Sequence, residues 1–406
     1  MKASYQSLDL RGRRVLVRED LNVPLKDGAI TDETRLRAAL GTLQDLSRRG
    51  ARVVVMSHLG RPRGRPVPGL SLRPVAARLA ELMGRPVGFA QDCIGEPAGR
   101  AVERMSEGEV VLLENVRFHP GDEADDPEFG RALALLGDVY VNDAFAASHR
   151  AHASVVGVAR QLPAYAGLLM LAELRALHRA LDEPRRPLVA IVGGAKISTK
   201  AGVLAFLLPK VDALLVGGAM ANTFFKAQGR EVGASLVEDE ALDTARQVER
   251  EGGDELVLPV DAVCARAMEA GQPTVVRPVD GIEPGWMMLD VGPATVERYG
   301  ERLRGAGTVV WNGPVGVSEI PEFASGTRAV GEAVAASGAY SLVGGGDTAA
   351  AVEALGLAGR FSHVSTGGGA TLEYLEGREL PGVAVLRDAP SPPEGEGRGG
   401  GEHARR

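Results

Sequence analysis

The sequence predicts an α/β protein: two doubly wound (Rossmann-like) parallel-sheet domains joined by a helix hinge. Two observations predict it. Short, continuous, β-branched apolar runs alternate with longer stretches whose apolar residues fall at helical spacing, the pattern of parallel strands buried on both faces. The turns after those runs also change character midway, from charged and polar in the first half to glycine-rich in the second.

In chain order, the first-half runs are RRVLV (13–17), ARVVVM (51–56), EVVLL (109–113) and DVYV (138–141). ETRLRAALGTLQDLSRRG, between the first two, is one of the helical stretches. Leu168, Leu171, Leu174, Leu177 and Leu181 then repeat at helical spacing before Pro184 and Pro187. That segment, 168–186, is expected to be a connecting helix with proline punctuation. The second-half runs are PLVAIV (187–192), DALLV (212–216), ELVLPV (255–260), GTVVW (307–311), AYSLV (339–343) and FSHVS (361–365). The expected division is a domain over 1–167, a hinge over 168–186 and a domain over 187–377. The Pro/Gly/charge-rich tail, 391–406, is expected to be disordered.

Composition narrows the function. The chain has 406 residues, with 46 Lys+Arg against 53 Asp+Glu, a formal net charge of −7. A dedicated nucleic-acid binder carries a basic footprint instead. Aromatics are only 4%, too few for a base-stacking platform. Cys93 and Cys264 lie far apart and form no CxxC pattern, so they read as free thiols of a reducing compartment. The N-terminal stretch lacks a signal-peptide apolar region, and no run of about 18 apolar residues occurs. The expectation is a soluble, cytoplasmic protein with neither membrane nor nucleic-acid partners.

Ligands of open α/β sheets bind at the carboxyl ends of the strands. In the first half those ends read Arg18-Glu19-Asp20-Leu21-Asn22, Ser57-His58-Leu59-Gly60-Arg61, Glu114-Asn115-Val116-Arg117 and Asn142-Asp143, then Ser148-His149-Arg150. Arg18, Asp20 and Asn22 alternate, so in an extended segment they face one way. Arg35, Arg61, Arg117 and Arg150 are expected to converge on one cleft, because guanidinium forks match phosphate and carboxylate bidentately. The expected ligand is a small, multiply charged anion.

The second-half ends read Gly193-Gly194-Ala195-Lys196, Gly217-Gly218, Trp311-Asn312-Gly313-Pro314, Gly344-Gly345-Gly346-Asp347-Thr348 and Thr366-Gly367-Gly368-Gly369. Five such loops point to a nucleotide phosphate tail cradled by backbone amides and helix N-termini. Lys196 and Lys200, two of six lysines, are expected to share a face at a helix start. Asp347 stands as a helix N-cap or as a Mg²⁺ contact. His149 and His152 read as anion contacts or structural residues, since no third ligand is spaced to complete a metal site. Gly344-x-Gly346-x-x-Ala349 formally matches a dinucleotide fingerprint, but the next strand ends in Ser365-Thr366 with no acidic residue for a ribose. No Walker A, HRD or DFG motif occurs.

These motifs, in this order, resemble the phosphoglycerate kinase family. The resemblance is carried by VREDLNVPL (17–25), ITDETR (30–35), SHLGRP (57–62), ENVRFH (114–119), AFAASHRAHAS (144–154), GGAKISTK (193–200), GGAMANTFFKAQG (217–229), LDVGPATV (289–296), WNGPVGVSE (311–319), GGGDTAAAVE (344–353) and SHVSTGGGATLEYLEG (362–377). It implies phosphoryl transfer between ATP and 3-phosphoglycerate by a hinge-bending monomer that uses Mg²⁺. It implies substrate contacts from Asp20, Leu21, Asn22, Arg35, His58, Leu59, Gly60, Arg61, Arg117 and Arg150. Nucleotide contacts would come from Gly194, Lys200, Gly218, Asn312, Pro314, Glu319, Gly344, Gly345, Gly346, Asp347 and Thr348, with Asp347 on the metal. Arg35, Lys196, Lys200, Gly346 and Gly369 would act on the transferring group. It also implies that 378–390 returns to the first domain and that the apo form is open. The sequence departs from the family's usual pattern at Glu19 (usually hydrophobic), Thr199 (usually Asp), Met288 (usually Gly) and Ser318 (usually Phe).

Overall fold

The structure, a computed structural model, describes residues 2–390. The expectation placed on 391–406 lies outside the described residues. Residues 2–167 build a sheet from β1 (Arg14–Arg18), β4 (Arg52–Met56), β5 (Val87–Phe89), β6 (Val110–Leu112), β7 (Val139–Asn142) and β8 (Ala164–Ala166). The remaining pair, β2 (Leu25–Lys26) and β3 (Ala29–Ile30), forms a small antiparallel hairpin. The sheet runs β5-β6-β4-β1-β7-β8, and every pair is parallel. Its helices are α1 (Thr34–Arg48), α2 (Arg73–Met83), α3 (Gly95–Glu103), α4 (Pro120–Glu123) and α5 (Pro127–Ala134). Helix α1 forms because Leu36, Ala39, Leu43 and Leu46 recur at helical spacing, and all four are buried against the sheet.

Helix α6 (Leu168–Leu181) then leads into a second parallel sheet, whose order is β11-β10-β9-β15-β16-β17. Its strands are β9 (Leu188–Val192), β10 (Ala213–Val216), β11 (Leu256–Val257), β15 (Thr308–Asn312), β16 (Tyr340–Gly344) and β17 (His363–Val364). Around it lie α7 (Ala201–Leu207), α8 (Met220–Ala227), α9 (Leu242–Gly252), α10 (Pro293–Leu303), α11 (Ser325–Ala336), α12 (Gly346–Ala354) and α13 (Gly369–Leu375). One apolar cluster runs from Leu16 and Met56, through Leu171, Leu174 and Leu177 of α6, to Leu188 and Val192. The connecting helix is therefore buried against both halves.

In each sheet the first strand in sequence has neighbours on both sides, so each has a crevice at its carboxyl edge where the winding reverses. The short helix α14 (Pro381–Ala384) and its flanks lie on the first sheet's side. There the Gly382 amide donates to Ser148 O (2.8 Å) and the Arg387 amide to Ala164 O (3.1 Å).

The second half also holds a feature outside the predicted pattern, an antiparallel sheet of β12 (Asp261–Ala265), β13 (Val275–Pro278) and β14 (Met287–Val291), in the order β13-β12-β14. The run 255–260 reads as one strand, but Pro259 has no amide hydrogen for a ladder. The parallel strand stops at Val257 and the chain re-enters a different sheet at Asp261.

Candidate active site

Fourteen residues line a cavity of ≈ 270 Å³ at the carboxyl edge of the first sheet. Asp20, Asn22, Arg35, His58, Gly60, Arg61, Arg117, His149 and Arg150 come from the first half. Gly367, Gly368 and Gly369 come from the second. All four arginines expected to converge therefore do so, from four separate strand ends or their following helix.

The wall is held by its own bonds. Arg35 Nη1 donates to Asp20 Oδ1 (3.1 Å) and to the Asn22 carbonyl (2.9 Å). Asn22 Oδ1 accepts the Gly60 amide at 2.8 Å, and Arg117 Nη1 donates to the Gly60 carbonyl at 2.9 Å. Arg117 is 4% exposed, with its Nε 3.4 Å from Glu123. Each bond fixes one end of a long side chain before a ligand arrives, which reduces the ordering cost of binding.

His58 is buried, with Nδ1 3.1 Å from Arg18 Nη2. Burial, then Arg18, Arg117, Arg35 and Arg150, hold its pKa well below the usual histidine range. The ring is neutral at pH 7; Nδ1 accepts from Arg18, which leaves Nε2 as a donor. His149, which the sequence left as anion contact or structural residue, lines the cavity; its Nε2 accepts from Arg150 Nε at 3.0 Å. Burial and then Arg150 lower its pKa too.

Three expectations on this face need correction. Leu21 and Leu59 pack into the core and do not line the cavity. Arg18 does not share a face with Asp20 and Asn22; it is buried behind them, with Nε on Ser154 Oγ (3.1 Å). The Gly367–Gly369 loop, read as part of a phosphate cradle in the second domain, faces the arginines instead. Gly367 is small for a reason: a Cβ there would collide with the Phe145 ring of the first half.

At the second sheet's carboxyl edge the glycine loops interlock. The Gly218 amide donates to Val315 O (2.8 Å) and the Met220 amide to Gly194 O (3.0 Å). Cβ atoms on Gly193, Gly217 or Gly313 would strike neighbouring loops, so those glycines serve packing. Gly346 has open space, Gly194 meets only Lys200, and Gly345 adopts φ +92° beside Asn312. Asn312 is the tie point: Lys200 Nζ donates to its Oδ1, and its Nδ2 donates to Gly344 O at 3.0 Å. Thr348 Oγ1 accepts the Gly313 amide (2.6 Å) and donates to Gly344 O (3.0 Å). Pro314 is buried beside them, and Glu319 is exposed.

Lys196 and Lys200 do not share a helix. Helix α7 starts at Ala201, so Lys196 is exposed in the preceding loop and Lys200 occupies the cap position. Burial lowers the Lys200 pKa, opposed by Asp347 and Glu376. Thr199, at a departure from the usual pattern, donates to Lys196 O at 3.0 Å. Asp347 is not an N-cap; Gly345 holds that position, and Asp347 is exposed in the first turn of α12. Met288 lines a small cavity of ≈ 20 Å³ with Gly218 and Leu289.

The two faces are tied through α6. The buried Glu173 accepts from His363 Nε2 (2.8 Å) and from the Thr366 amide (2.8 Å), just before the glycine loop. One group among the described residues has metal-ligand spacing, Asp92, Cys93 and His119, and none of the three lines the arginine cavity.

Comparison with known proteins gives one consistent result. The family model described as phosphoglycerate kinase matches residues 5–378. The chain is 57% identical to phosphoglycerate kinase of Rubrobacter xylanophilus over 385 residues, covering 95% of this chain and 98% of that one. It is 52% identical to the protein of the same name from Dictyoglomus turgidum, over 94% of this chain and 97% of that one. The solved structure of phosphoglycerate kinase from Coxiella burnetii superposes with a TM-score of 0.88 at 44% identity, covering 95% and 99% of the two chains. That from Pyrococcus horikoshii gives 0.83 at 32% identity, covering 95% and 98%.

Proposed function

The chain belongs to the phosphoglycerate kinase family, and from that premise we propose how its two faces divide the work. The reaction is reversible, ATP-dependent phosphoryl transfer to the carboxylate of 3-phosphoglycerate, a glycolytic step that gives 1,3-bisphosphoglycerate and ADP. The arginine cavity takes the phosphoglycerate. Arg61, Arg117 and Arg150, with the His58 Nε2 donor, grip its phosphate; Asp20 and Asn22 hold Arg35 in place. The Gly194, Gly218, Asn312–Pro314 and Gly344–Thr348 loops, with Lys200 and Glu319, take the nucleotide.

The acceptor carboxylate is already ionised at pH 7, so no general base is required. Catalysis rests on in-line positioning and on neutralising the transferring group. Arg35, Lys196, Lys200 and the amides at Gly346 and Gly369 are the groups for its equatorial oxygens. Gly369 lines the arginine cavity and Gly346 has open space at a helix N-terminus, which supports both assignments.

Mg²⁺ fits Asp347. A single exposed carboxylate, in the first turn of a helix whose loop is open to a phosphate tail, suits an ion that takes one or two carboxylates and keeps its waters. When bound, the ion would neutralise phosphate charge. We also propose that the enzyme works as a cytoplasmic monomer that bends at α6, with no nucleic-acid or membrane partner. Among the described residues no helix is long and apolar enough to cross a membrane.

The convergence of four arginines and a second-domain glycine loop on one cavity is the observation that carries this reading. A coupled assay for ADP formed from ATP and 3-phosphoglycerate tests it. Turnover in the presence of Mg²⁺ is the expected result; a folded sample without turnover contradicts it.

A further inference from the structure

Strand β1 ends in a buried carboxyl group that the reaction does not use. Glu19 is fully buried, and neither Oε1 nor Oε2 has a hydrogen-bond partner. The β1–β7 register pairs Arg18 with Asn142, so Glu19 and Asp143 emerge from adjacent strands side by side. Asp143 is also fully buried, and its two oxygens differ. Oδ1 accepts the Met170 amide of α6 at 2.9 Å, and the nearby Leu169 amide and Thr42 hydroxyl of α1 help to hold its pKa down. A Cβ on Gly167 would collide with it, so the carboxylate is seated against the start of α6. Oδ2 has no partner.

One proton resolves this arrangement. If Glu19 is the acid, its O–H donates to Asp143 Oδ2, and that orphaned acceptor and one of the two orphaned Glu19 oxygens are satisfied together. Two buried carboxylates in contact cannot both stay ionised. Burial, then the Asp143 charge, push the Glu19 pKa well above the carboxylate range. Asp143 is raised by burial but held down by its donors, to about 6.

The other charged groups nearby are engaged. Arg18 gives Nη1 to the Glu19 carbonyl. Asp20 and Arg35 pair with each other. Tyr5 donates to Asp45 at 2.9 Å. The first turn of α6, Leu168–Leu171, brings no ionisable side chain.

We infer that Glu19 and Asp143 share one proton, and that Glu19 in its acid form is a positioning residue that locks the ionised Asp143 onto the N-terminus of the interdomain helix. The small cavity beside the pair is lined by Asp20 and Arg35 from the substrate side, Leu169 from α6 and Thr366 from the second half. The substrate wall, the connecting helix and the glycine loop therefore meet at this point. The kinetic consequence rests on the kinase reading; the shared proton does not.

The test has an optical and a kinetic arm. The wild-type minus Glu19→Gln infrared difference spectrum at pH 7 should show the carbonyl stretch of a protonated carboxylic acid; the band of Asp290, whose burial raises its pKa to about 7, is common to both proteins and cancels. The glutamine amide still donates to Asp143 Oδ2, so this variant should keep kcat within about threefold; wild-type kcat should fall at alkaline pH and the variant's should not. Glu19→Val leaves Oδ2 unpaired and should lower kcat by roughly tenfold or more with little change in either KM. Both folded pKa values are raised, so their contribution to stability is present in acid and is lost as pH rises. The Tm advantage of Glu19→Gln over wild type should therefore grow with pH. A difference spectrum without the acid band overturns the inference, as does a Glu19→Val enzyme with wild-type kcat and pH profile. If Glu19→Val does not fold, the Glu19→Gln band and pH profile decide. A Glu19-dependent difference band without turnover refutes the kinase reading and leaves the shared proton standing.

Discussion

The two faces of the candidate site offer an anion different means of binding. The first-sheet face offers charge on side chains: Arg35, Arg61, Arg117 and Arg150 line one cavity, and burial together with the field of Arg18, Arg117, Arg35 and Arg150 holds the His58 pKa low. The second-sheet face uses backbone: glycine loops, helix starts and only two lysines. The contrast suits the two ligands proposed for these faces. A small acid with two anionic ends needs fixed charges that choose its orientation. A nucleotide tail needs amides that can approach closely and let go of a phosphoryl group. The charged face is locked before binding by Asp20, Asn22 and Gly60, whereas the glycine face is locked by Asn312 and by loop-to-loop packing.

The sharpest way to break this comparison is to remove one group from each face. Arg35→Ala and Lys196→Ala should each lower kcat by ~10²–10³-fold while changing substrate affinity much less. Steady-state kinetics within about tenfold of wild type, roughly 1.4 kcal/mol, would take that residue out of the transfer step.

Next in size is Asp347→Asn. A loss of roughly 30-fold in kcat/KM for the Mg-nucleotide, about 2 kcal/mol, is expected, with 3-phosphoglycerate affinity unchanged by calorimetry. Equal loss for both substrates would contradict the division of labour. A smaller effect is expected from Gly345→Ala. At φ +92°, and with Asn312 Nδ2 2.8 Å from a new Cβ, the substitution should cost ~1–3 kcal/mol of stability and raise the nucleotide KM alone. Chemical denaturation and a KM pair measure both.

The smallest effect is a pH dependence. The folded-state pKa of His58 is depressed, so the unfolded chain binds more protons below about pH 6.5. Stability therefore falls as pH drops from there toward the folded value. His58→Gln should flatten that acid-side fall in a Tm–pH series; an unchanged slope would show that His58 is not buried neutral.

The same comparison explains what was legible in the sequence. The arginine face could be read because charged residues directly after β-branched runs are unusual, and strand ends gather at one edge of a parallel sheet. The side of the strand each residue faces could not be read for Arg18, nor could the core packing of Leu21 and Leu59, because strands β1 and β4 end at Arg18 and Met56 and the regular alternation of faces stops there. The glycine face was legible as loops but not as roles. Packing and ligand approach both select glycine, and only the folded arrangement separates Gly193 and Gly313, which other loops cover, from Gly346, which is open. The Gly367–Gly369 loop belongs to one half in sequence and faces the cavity of the other, which no local pattern reveals. The antiparallel sheet stayed hidden because Pro259 splits what reads as one run.

The most direct test of the central claim is a crystal structure of the enzyme with 3-phosphoglycerate, ADP, Mg²⁺ and a planar phosphoryl mimic. The account predicts 3-phosphoglycerate among the four arginines and ADP on the glycine loops, with the mimic in line between them, contacted by Arg35 and Lys196. The two ligands bound in sites that stay apart, with the mimic touching neither residue, would contradict it.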